Sequence, residues 1–372
     1  MRIAIDAHTV GTQLAGNVTY ITSMIESLAR IDQKNDYSLY VMEPAAIEMY
    51  QDRWPNFQVR RFMHKSRIMR YFYSFSSQLR VHPADIFFCQ FNAPPFCPAK
   101  IVTAIHDLSF EHLPETFTKQ SSTQMKITIR RTAKNAKHII ACSEYSRQDI
   151  LKTYGIAENK VSTVHLAAPE WYAPVEDKKE LERIRVKYDL GDTYILGVGS
   201  IQPRKNLVRL IEAYASLVKR GIDMPKLVLA GKKAWLFEDS VAATAVHGVE
   251  DRVHFTGFVP DEDLIGLYTG ALCFVYPSFF EGFGLPPLEA MQCGTPVIAG
   301  NLTSLPEVVG DAGLLVDPFD VESIAKALEQ IVGDENLRKT LIAKGIEQAA
   351  KFKWDDAAQK TLDIFERVHA NK

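Results

Sequence analysis

The chain has 372 residues, longer than one ordinary domain, and 47% hydrophobic with 24% charged residues is the mix of a globular protein with ample core. No apolar run approaches the roughly 18–20 residues that span a bilayer, which argues against a membrane-spanning chain. A net charge of −2 disfavours a nucleic-acid binder, and five scattered cysteines without a C-x-x-C pair argue against both a disulfide frame and a zinc site.

Taken in chain order, MRIAIDAHTVG reads as a short strand and a turn. It lacks the charged start and long apolar stretch of a signal peptide, and a reducing cytoplasm suits the cysteines. Further apolar runs follow at 37–42, 85–89, 100–107, 138–143 and 161–166. They are rich in Val, Ile, Phe and Tyr and do not alternate, as in the buried strands of a parallel sheet. Periodic segments such as 18–31 and 121–136 lie between them as helices, so the first half is built of βαβ units.

Residues 167–193 break this pattern with AAPEWYAP and a highly charged stretch, read as a linker carrying an exposed helix. The alternation then restarts. Strands are expected at 194–200, 226–231, 252–257, 273–278, 296–300 and 313–318, with helices between them and two more at about 335–350 and 354–369. The expected fold class is therefore α/β, with two doubly wound Rossmann-like domains: 1–170, a linker 171–192, and 193–353.

Charge is uneven along the chain. Residues 1–170 carry 20 Lys and Arg against 15 Asp and Glu, and the rest carries 23 against 30. Two acid-free runs, 53–80 with seven cations and several aromatics and 117–138 with six, read either as solvated helix faces or as a surface for an anionic membrane or polyanionic acceptor.

In open α/β sheets, ligands bind beyond the carboxyl ends of the strands, and unusual residues collect there. After the first strand, 11-GTQLAGNVTY-20 opens a helix with two glycines, but no G-x-G-x-x-G and no G-K-[ST] is present. His106-Asp107 follows the strand at 100–107. It is either structural or places an imidazole that donates to a sugar hydroxyl or an oxyanion. Arg204 and Lys205 follow the strand at 194–200, and an Arg–Lys pair beside a helix start suits a pyrophosphate as well as a surface ion pair. After the strand at 273–278 comes 280-FEGFGLPPLEAMQCGTPVIAG-300. Pro286 and Pro287 suit a first helical turn, which places Glu289 in that turn and Glu281 in the loop before it. Two carboxylates flanking backbone amides can hold hydroxyls at both ends of a nucleoside diphosphate sugar.

Glu281, seven residues and Glu289 resemble the E-x7-E motif of retaining GT-B glycosyltransferases of family 4. The resemblance extends over most of the chain: GVGSIQPRKN (197–206), LAG (229–231), VHFTG (253–257), LPEVVGDAGLLVDP (305–318), IHDL (105–108) and ACSEYSR (141–147). It is similar in look to bacterial mannosyltransferases of surface-polysaccharide assembly. The resemblance implies a GT-B architecture, with the two domains facing across a cleft and the final helix, about 354–372, crossing back to the first domain. It implies that Glu289 accepts from both ribose hydroxyls and Glu281 contacts the donor sugar. The amides of Phe283, Gly284 and Leu285 would meet sugar and phosphates, Arg204 and Lys205 the pyrophosphate. Gly16 would lie in a loop touching the phosphates, and His106 by the transferred sugar. Two departures bear on the acceptor: 15-AGNVTY-20 stands where relatives read G-G-x-G-R-Y, and AAPEW stands where they read G-V-D.

The expected reaction is retaining transfer of a hexose, mannose from GDP-mannose first and a UDP-hexose as the alternative, to a saccharide or lipid-linked acceptor. A nucleotide-sugar epimerase on the same architecture is a rival. No cofactor and no metal is expected. The one D-x-D, 261-DED-263, precedes a helical segment and reads as an N-cap through Asp261 or Asp263. The protein is expected in the cytoplasm, with 53–80 on the inner membrane face.

Overall fold

The computed structural model describes residues 1–12, 15–62, 66 and 69–371, with the backbone alone at residues 15 and 70. By its contacts the chain falls into two units. The first comprises Met1–Leu108, Thr123–Leu166 and the chain from Lys353 on; the second comprises Ser109–Ser122 and Ala167–Phe352. Ser109–Ser122 thus groups with the second unit, although a boundary near 170 would leave it in the first.

The first unit holds a seven-stranded sheet of β1 (Arg2–Asp6), β2 (Asp36–Val41), β3 (Phe57–Arg61), β4 (Ile86–Gln90), β5 (Lys100–Ile105), β6 (His138–Ala141) and β7 (Val161–Thr163), in the order β3-β2-β1-β4-β5-β6-β7. Every pairing is parallel, for instance Ile5 with Leu39 on one side and with Phe88 on the other. The apolar runs are apolar on both faces because helices cover both faces of a parallel sheet. Ile3, Ala4, Ile5, Phe87, Phe88 and Val102 are all buried.

Strand β3 corrects the reading of 53–80 as a helix face. Phe57–Arg61 is the sheet's edge, paired only with β2, and its Arg60 and Arg61 suit an edge that must not recruit another strand. Phe57 is buried and stacks on Tyr37 with ring centroids 4.3 Å apart. Of the cations in that run, Lys65 and Arg67 lie outside the described residues. The second basic run does form a helix, Lys119–Asn135, with Ile129 and Ala133 buried.

The final helix, Trp354–Ala370, belongs to the first unit. Phe365 meets Phe88 edge-on at 5.3 Å, and Trp354 meets Tyr20 at 6.0 Å. Burying such side chains contributes about 1.5–3 kcal/mol each. At the helix C-terminus, where backbone carbonyls lack helical partners, Lys100 Nζ donates to the carbonyls of Val368, His369 and Asn371.

The second unit holds a six-stranded parallel sheet of β8 (Tyr194–Val198), β9 (Lys226–Ala230), β10 (Val253–Gly257), β11 (Cys273–Tyr276), β12 (Val297–Gly300) and β13 (Gly313–Val316), in the order β10-β9-β8-β11-β12-β13. Its core gathers Leu210, Ile211, Tyr214, Leu227, Val275, Ile298 and Leu328. In each sheet the chain runs outward from one strand and then restarts beside it. The order therefore reverses between β1 and β4 in the first unit and between β8 and β11 in the second. Those reversals splay the connecting loops apart and open a crevice at the strands' carboxyl ends.

Candidate functional site

In the second unit, the loops leaving β8 and β11 flank the reversal. The β8 loop is tightly constrained. Gly199 sits at φ +144°, and a Cβ on Gly231, itself at φ +152°, would lie 2.0 Å from the Gly199 carbonyl oxygen, so these two loops can meet only through glycine. The chain then makes a short 3-10 turn, Pro203–Lys205, and passes through Asn206 in the left-handed region at φ +58°. Asn206 is buried, and its Nδ2 donates to the carbonyls of Pro277 (3.1 Å) and Pro318 (2.6 Å), which locks the turn against the β11 loop.

That lock brings Arg204 and Lys205 onto Glu281. Arg204 Nη1 lies 3.0 Å from Glu281 Oε2, and Lys205 Nζ lies 2.7 Å from Oε1. Arg204 also donates to the Phe280 carbonyl and Lys205 to the Tyr276 hydroxyl. The Glu281 backbone is fixed as well: its N–H donates to Thr303 Oγ1 (3.1 Å), and Ser304 Oγ donates to the carbonyls of Glu281 (2.9 Å) and Phe283 (2.7 Å). Glu281 is 8% exposed. Burial by itself would raise its pKa, but the charges of Arg204 and Lys205 and their hydrogen bonds prevail and bring it down to about 2. Two cations against one carboxylate leave the cluster with net positive charge.

Glu289 differs in every respect but burial, being also 8% exposed. The helix Leu285–Gln292 starts one residue before Pro286 and Pro287, so Glu289 is its fifth residue and stands one turn further along than the proline signal implied. It accepts from a neutral donor, the buried Tyr268 hydroxyl, 3.0 Å from Oε2. Burial raises its pKa to about 7; Asp261 adds to this and Tyr268 opposes it. Gly284, at φ +124°, precedes this helix, and a Cβ there would lie 2.9 Å from Leu305 Cδ2. Phe283 is buried and meets Phe352 edge-on at 5.6 Å; Leu285 is half-buried.

The D-x-D reading is corrected. The helix Asp261–Gly270 has Pro260 at its N-cap position, and all three acids lie in its first turn. Asp263 is 2% exposed and accepts from Arg183 (2.6 Å), Lys187 and the Tyr188 hydroxyl (2.6 Å). It fastens this helix to Lys178–Lys187, the helix foreseen in the linker. Among the described residues no group of three or more His, Cys, Asp or Glu is placed to hold a metal.

In the first unit, His106 follows β5 and is half-buried. Its Nε2 lies 2.8 Å from Gln90 Oε1, while Gln90 Nε2 donates to the Asn17 carbonyl (3.1 Å). An amide oxygen only accepts, so Nε2 carries the ring proton and Nδ1 is the lone-pair nitrogen. Burial lowers the pKa of His106 to about 4, so the ring is neutral near pH 7. The imidazole expected to donate outward thus spends its N–H on Gln90 and offers an acceptor. The ACSEYSR motif supports it: Ser143 caps the helix Glu144–Tyr154, and Ser146 Oγ donates to the His106 carbonyl (2.9 Å). Gly16 is the second residue of the helix Ala15–Ile31, not a loop residue, and a Cβ there would meet nothing within 4 Å.

The structure thus joins Arg204, Lys205 and Glu281 into one cluster, sets Glu289 beyond it in the same unit, and places His106 and Gly16 in the other unit. Tyr268, Tyr276, Asn206, Ser304 and Gln90 escaped the sequence reading. Tyr276, inside a strand already marked, and Asn206, the last residue of GVGSIQPRKN, carried a signal.

The family profile "Glycosyl transferases group 1" matches residues 178–348, and "Glycosyltransferase Family 4" matches residues 15–168. The O-antigen chain mannosyltransferase B of Escherichia coli is 39% identical over 269 residues, covering 72% of this chain and 70% of that protein. The serotype-specific mannosyltransferase WbdA of Escherichia coli is 36% identical over 236 residues, covering 63% of this chain but 29% of that longer protein. The sucrose-phosphate synthase structure from Thermosynechococcus elongatus superposes with a TM-score of 0.78 over 100% of both chains at 20% identity, a likeness of fold.

Proposed function

The chain belongs to the group 1, family 4 glycosyltransferases, of GT-B fold, and from that premise we propose that it transfers mannose from GDP-mannose, with retention, to a saccharide or lipid-linked acceptor in surface-polysaccharide assembly. One observation carries the site assignment: Glu281 clamped by Arg204 and Lys205 at the point where the second sheet reverses. The mannosyl donor rests on the two mannosyltransferase relatives.

In this reading the second unit takes the nucleotide sugar. The net positive charge of the cluster meets the charge that develops on the leaving diphosphate, and its hydrogen bonds hold it ready before the reaction begins. The acceptor oxygen bonds to the anomeric carbon on the face that the diphosphate leaves. The electron pair of the breaking bond goes to the diphosphate, which takes the acceptor's proton. Glu281, ionised and doubly paired, positions the cations and the sugar rather than attacking. Glu289 accepts from the ribose, with Oε2 already engaged by Tyr268. The amides of Phe283, Gly284 and Leu285, at the start of the helix, meet sugar and phosphates. In the first unit Gly16, in the opening turn of its helix, and His106, whose Nδ1 accepts, are the residues that unit offers to a substrate. No divalent metal is needed, because Arg204 and Lys205 supply the positive charge and Asp263 is committed to three donors.

The acceptor side adds a membrane surface. Within the turn Arg70–Ser74, Phe72 is 49% and Tyr73 67% exposed, and Val81 in the next helix is 71% exposed, with the exposed Arg61 and Arg80 nearby in sequence. Aromatics with cations suit an anionic interface. Among the described residues no helix is long and apolar enough to cross a membrane.

The deciding experiment is a thermal-shift panel of GDP, UDP and their sugars, followed by transfer assays with the stabilising donor. GDP-mannose should raise the melting temperature by mass action and support transfer to a mannosyl acceptor. Stabilisation by UDP-hexoses alone would overturn the donor, and transfer with inversion would overturn the mechanism.

A further inference from the structure

The first unit carries a second histidine pair, at the reversal of its own sheet. Asp6 ends β1 and is 5% exposed. Its Oδ1 accepts from His8 twice, from Nδ1 at 2.7 Å and from the backbone N–H at 3.2 Å. A carboxylate only accepts, so Nδ1 donates to Asp6, and Nε2 is the ring nitrogen left for another partner. The His8 side chain is 30% exposed, and no partner for its Nε2 is found among the described residues.

Two neighbouring groups lack partners as well. Thr9 is 6% exposed, and its buried Oγ1 has no hydrogen bond among the described residues; the same holds for the buried Oδ1 of Asn92, in the loop after β4. Buried polar atoms are ordinarily satisfied, and orphans on the two loops that flank a sheet reversal point to a ligand that completes them. β4 and β5 also bring Gln90 and His106 to this edge, where Nδ1 of His106 is an acceptor. The edge so assembled has acceptors, a hydroxyl and a carboxylate-held imidazole, but no lysine or arginine among its described residues. Such a set takes the O–H donors of a sugar and disfavours a phosphate.

We propose that His8, held in orientation by Asp6, hydrogen-bonds a hydroxyl of the saccharide acceptor and helps to select it. This rests on the reading of the chain as a glycosyltransferase. His8 is the binding residue; Asp6, which acts through it, is a positioning residue.

The test titrates methyl α-mannoside, α-glucoside and α-galactoside into the full chain while proton–nitrogen NMR follows the histidine rings. The same samples are titrated with GDP and UDP. At least one glycoside should move the His8 ring resonances. His8→Ala should weaken that glycoside about tenfold, as expected for one lost hydrogen bond, and leave nucleotide affinity unchanged. His8→Gln, which keeps polar reach, should lose less. Asp6→Asn, whose amide oxygen still accepts from Nδ1, should stay within about threefold of wild type, whereas Asp6→Ala should match His8→Ala. An unchanged nucleotide-induced thermal shift establishes that each variant is folded. If a nucleotide binds but no glycoside moves His8, or if His8→Ala binds the glycosides as wild type does, the assignment is overturned and the transferase reading stands. If glycosides bind through His8 while no nucleotide binds, the transferase reading falls and the dyad stands.

Discussion

Glu281 and Glu289 belong to one motif, lie in one unit and are equally buried, yet their surroundings drive them in opposite directions. Glu281 meets two cations and is held ionised, near pKa 2. Glu289 meets a phenol and is pushed up to about 7, so that near neutral pH it is half protonated. The contrast teaches that burial does not set a carboxylate's charge; the partners enclosed with it do. Under the proposed function it would divide the labour: a permanently charged residue would organise cations for the leaving group, and a weakly held proton would be exchanged for a ribose hydroxyl.

The largest expected effect comes from destroying the ionised half. Glu281→Gln leaves Arg204 and Lys205 facing each other without their counter-ion, and kcat should fall by about 10²–10³-fold. Mass spectrometry should find no glycosyl-enzyme in this variant. Retention of more than a tenth of the activity would separate the cluster from the chemistry. Lys205→Ala should cost about 10²-fold in kcat, and added Mg²⁺ should not restore it. Loss of wild-type activity in EDTA, recovered with Mg²⁺ or Mn²⁺, would break the comparison by moving the critical charge to a metal.

Smaller effects attach to the neutral half. Glu289→Gln should raise the donor KM about tenfold with a lesser effect on kcat. In wild type, donor affinity should rise as pH increases through about 7, where Glu289 ionises, and Glu289→Gln should flatten that rise. Tyr268→Phe removes the donor to Oε2, raises the Glu289 pKa further, and should shift the midpoint of that profile upward with an affinity loss of about threefold near neutrality.

Stability should follow the same opposition. Glu281, with its folded pKa lowered from 4.5 to about 2, contributes stability above pH 4.5 that is lost as pH falls towards 2. Glu289, raised from 4.5 to about 7, contributes stability below pH 4.5 that is lost as pH rises through 7. Each contribution is at most about 3 kcal/mol. Denaturant titrations at pH 8 should therefore find Glu281→Gln destabilised and Glu289→Gln as stable as wild type or more so.

Much of this was legible in the sequence. Twelve of the thirteen strands announce themselves as apolar runs, because burial on both faces removes any need for alternation. The exception, β3, is an edge strand whose Arg60 and Arg61 look like solvated surface until β2 supplies hydrogen bonds on one side. Glu281, Arg204 and Lys205 were each marked by position after a strand. Asp263 was misread because an acid before a helix is ordinarily a cap, and its actual donors, Arg183, Lys187 and Tyr188, come from a helix and the residue that follows it, more than seventy residues earlier. His8 drew no notice, since a histidine two residues after an aspartate has no significance until the strand's end buries one and exposes the other.

By itself the sequence determined the two doubly wound sheets, the carboxyl-end placement of the motif residues, and the eight-residue spacing of Glu281 and Glu289. These depend on periodicity and on local turn chemistry, which operate within a few residues. Only the tertiary structure decided that Glu281 is charged and Glu289 half protonated near neutral pH, that His106 presents a lone pair, and that Asp6 holds His8. Ionisation state and tautomer depend on what lies within a few ångströms after folding. For Glu281 those neighbours are 76 and 77 residues away in the chain, beyond the reach of any local pattern.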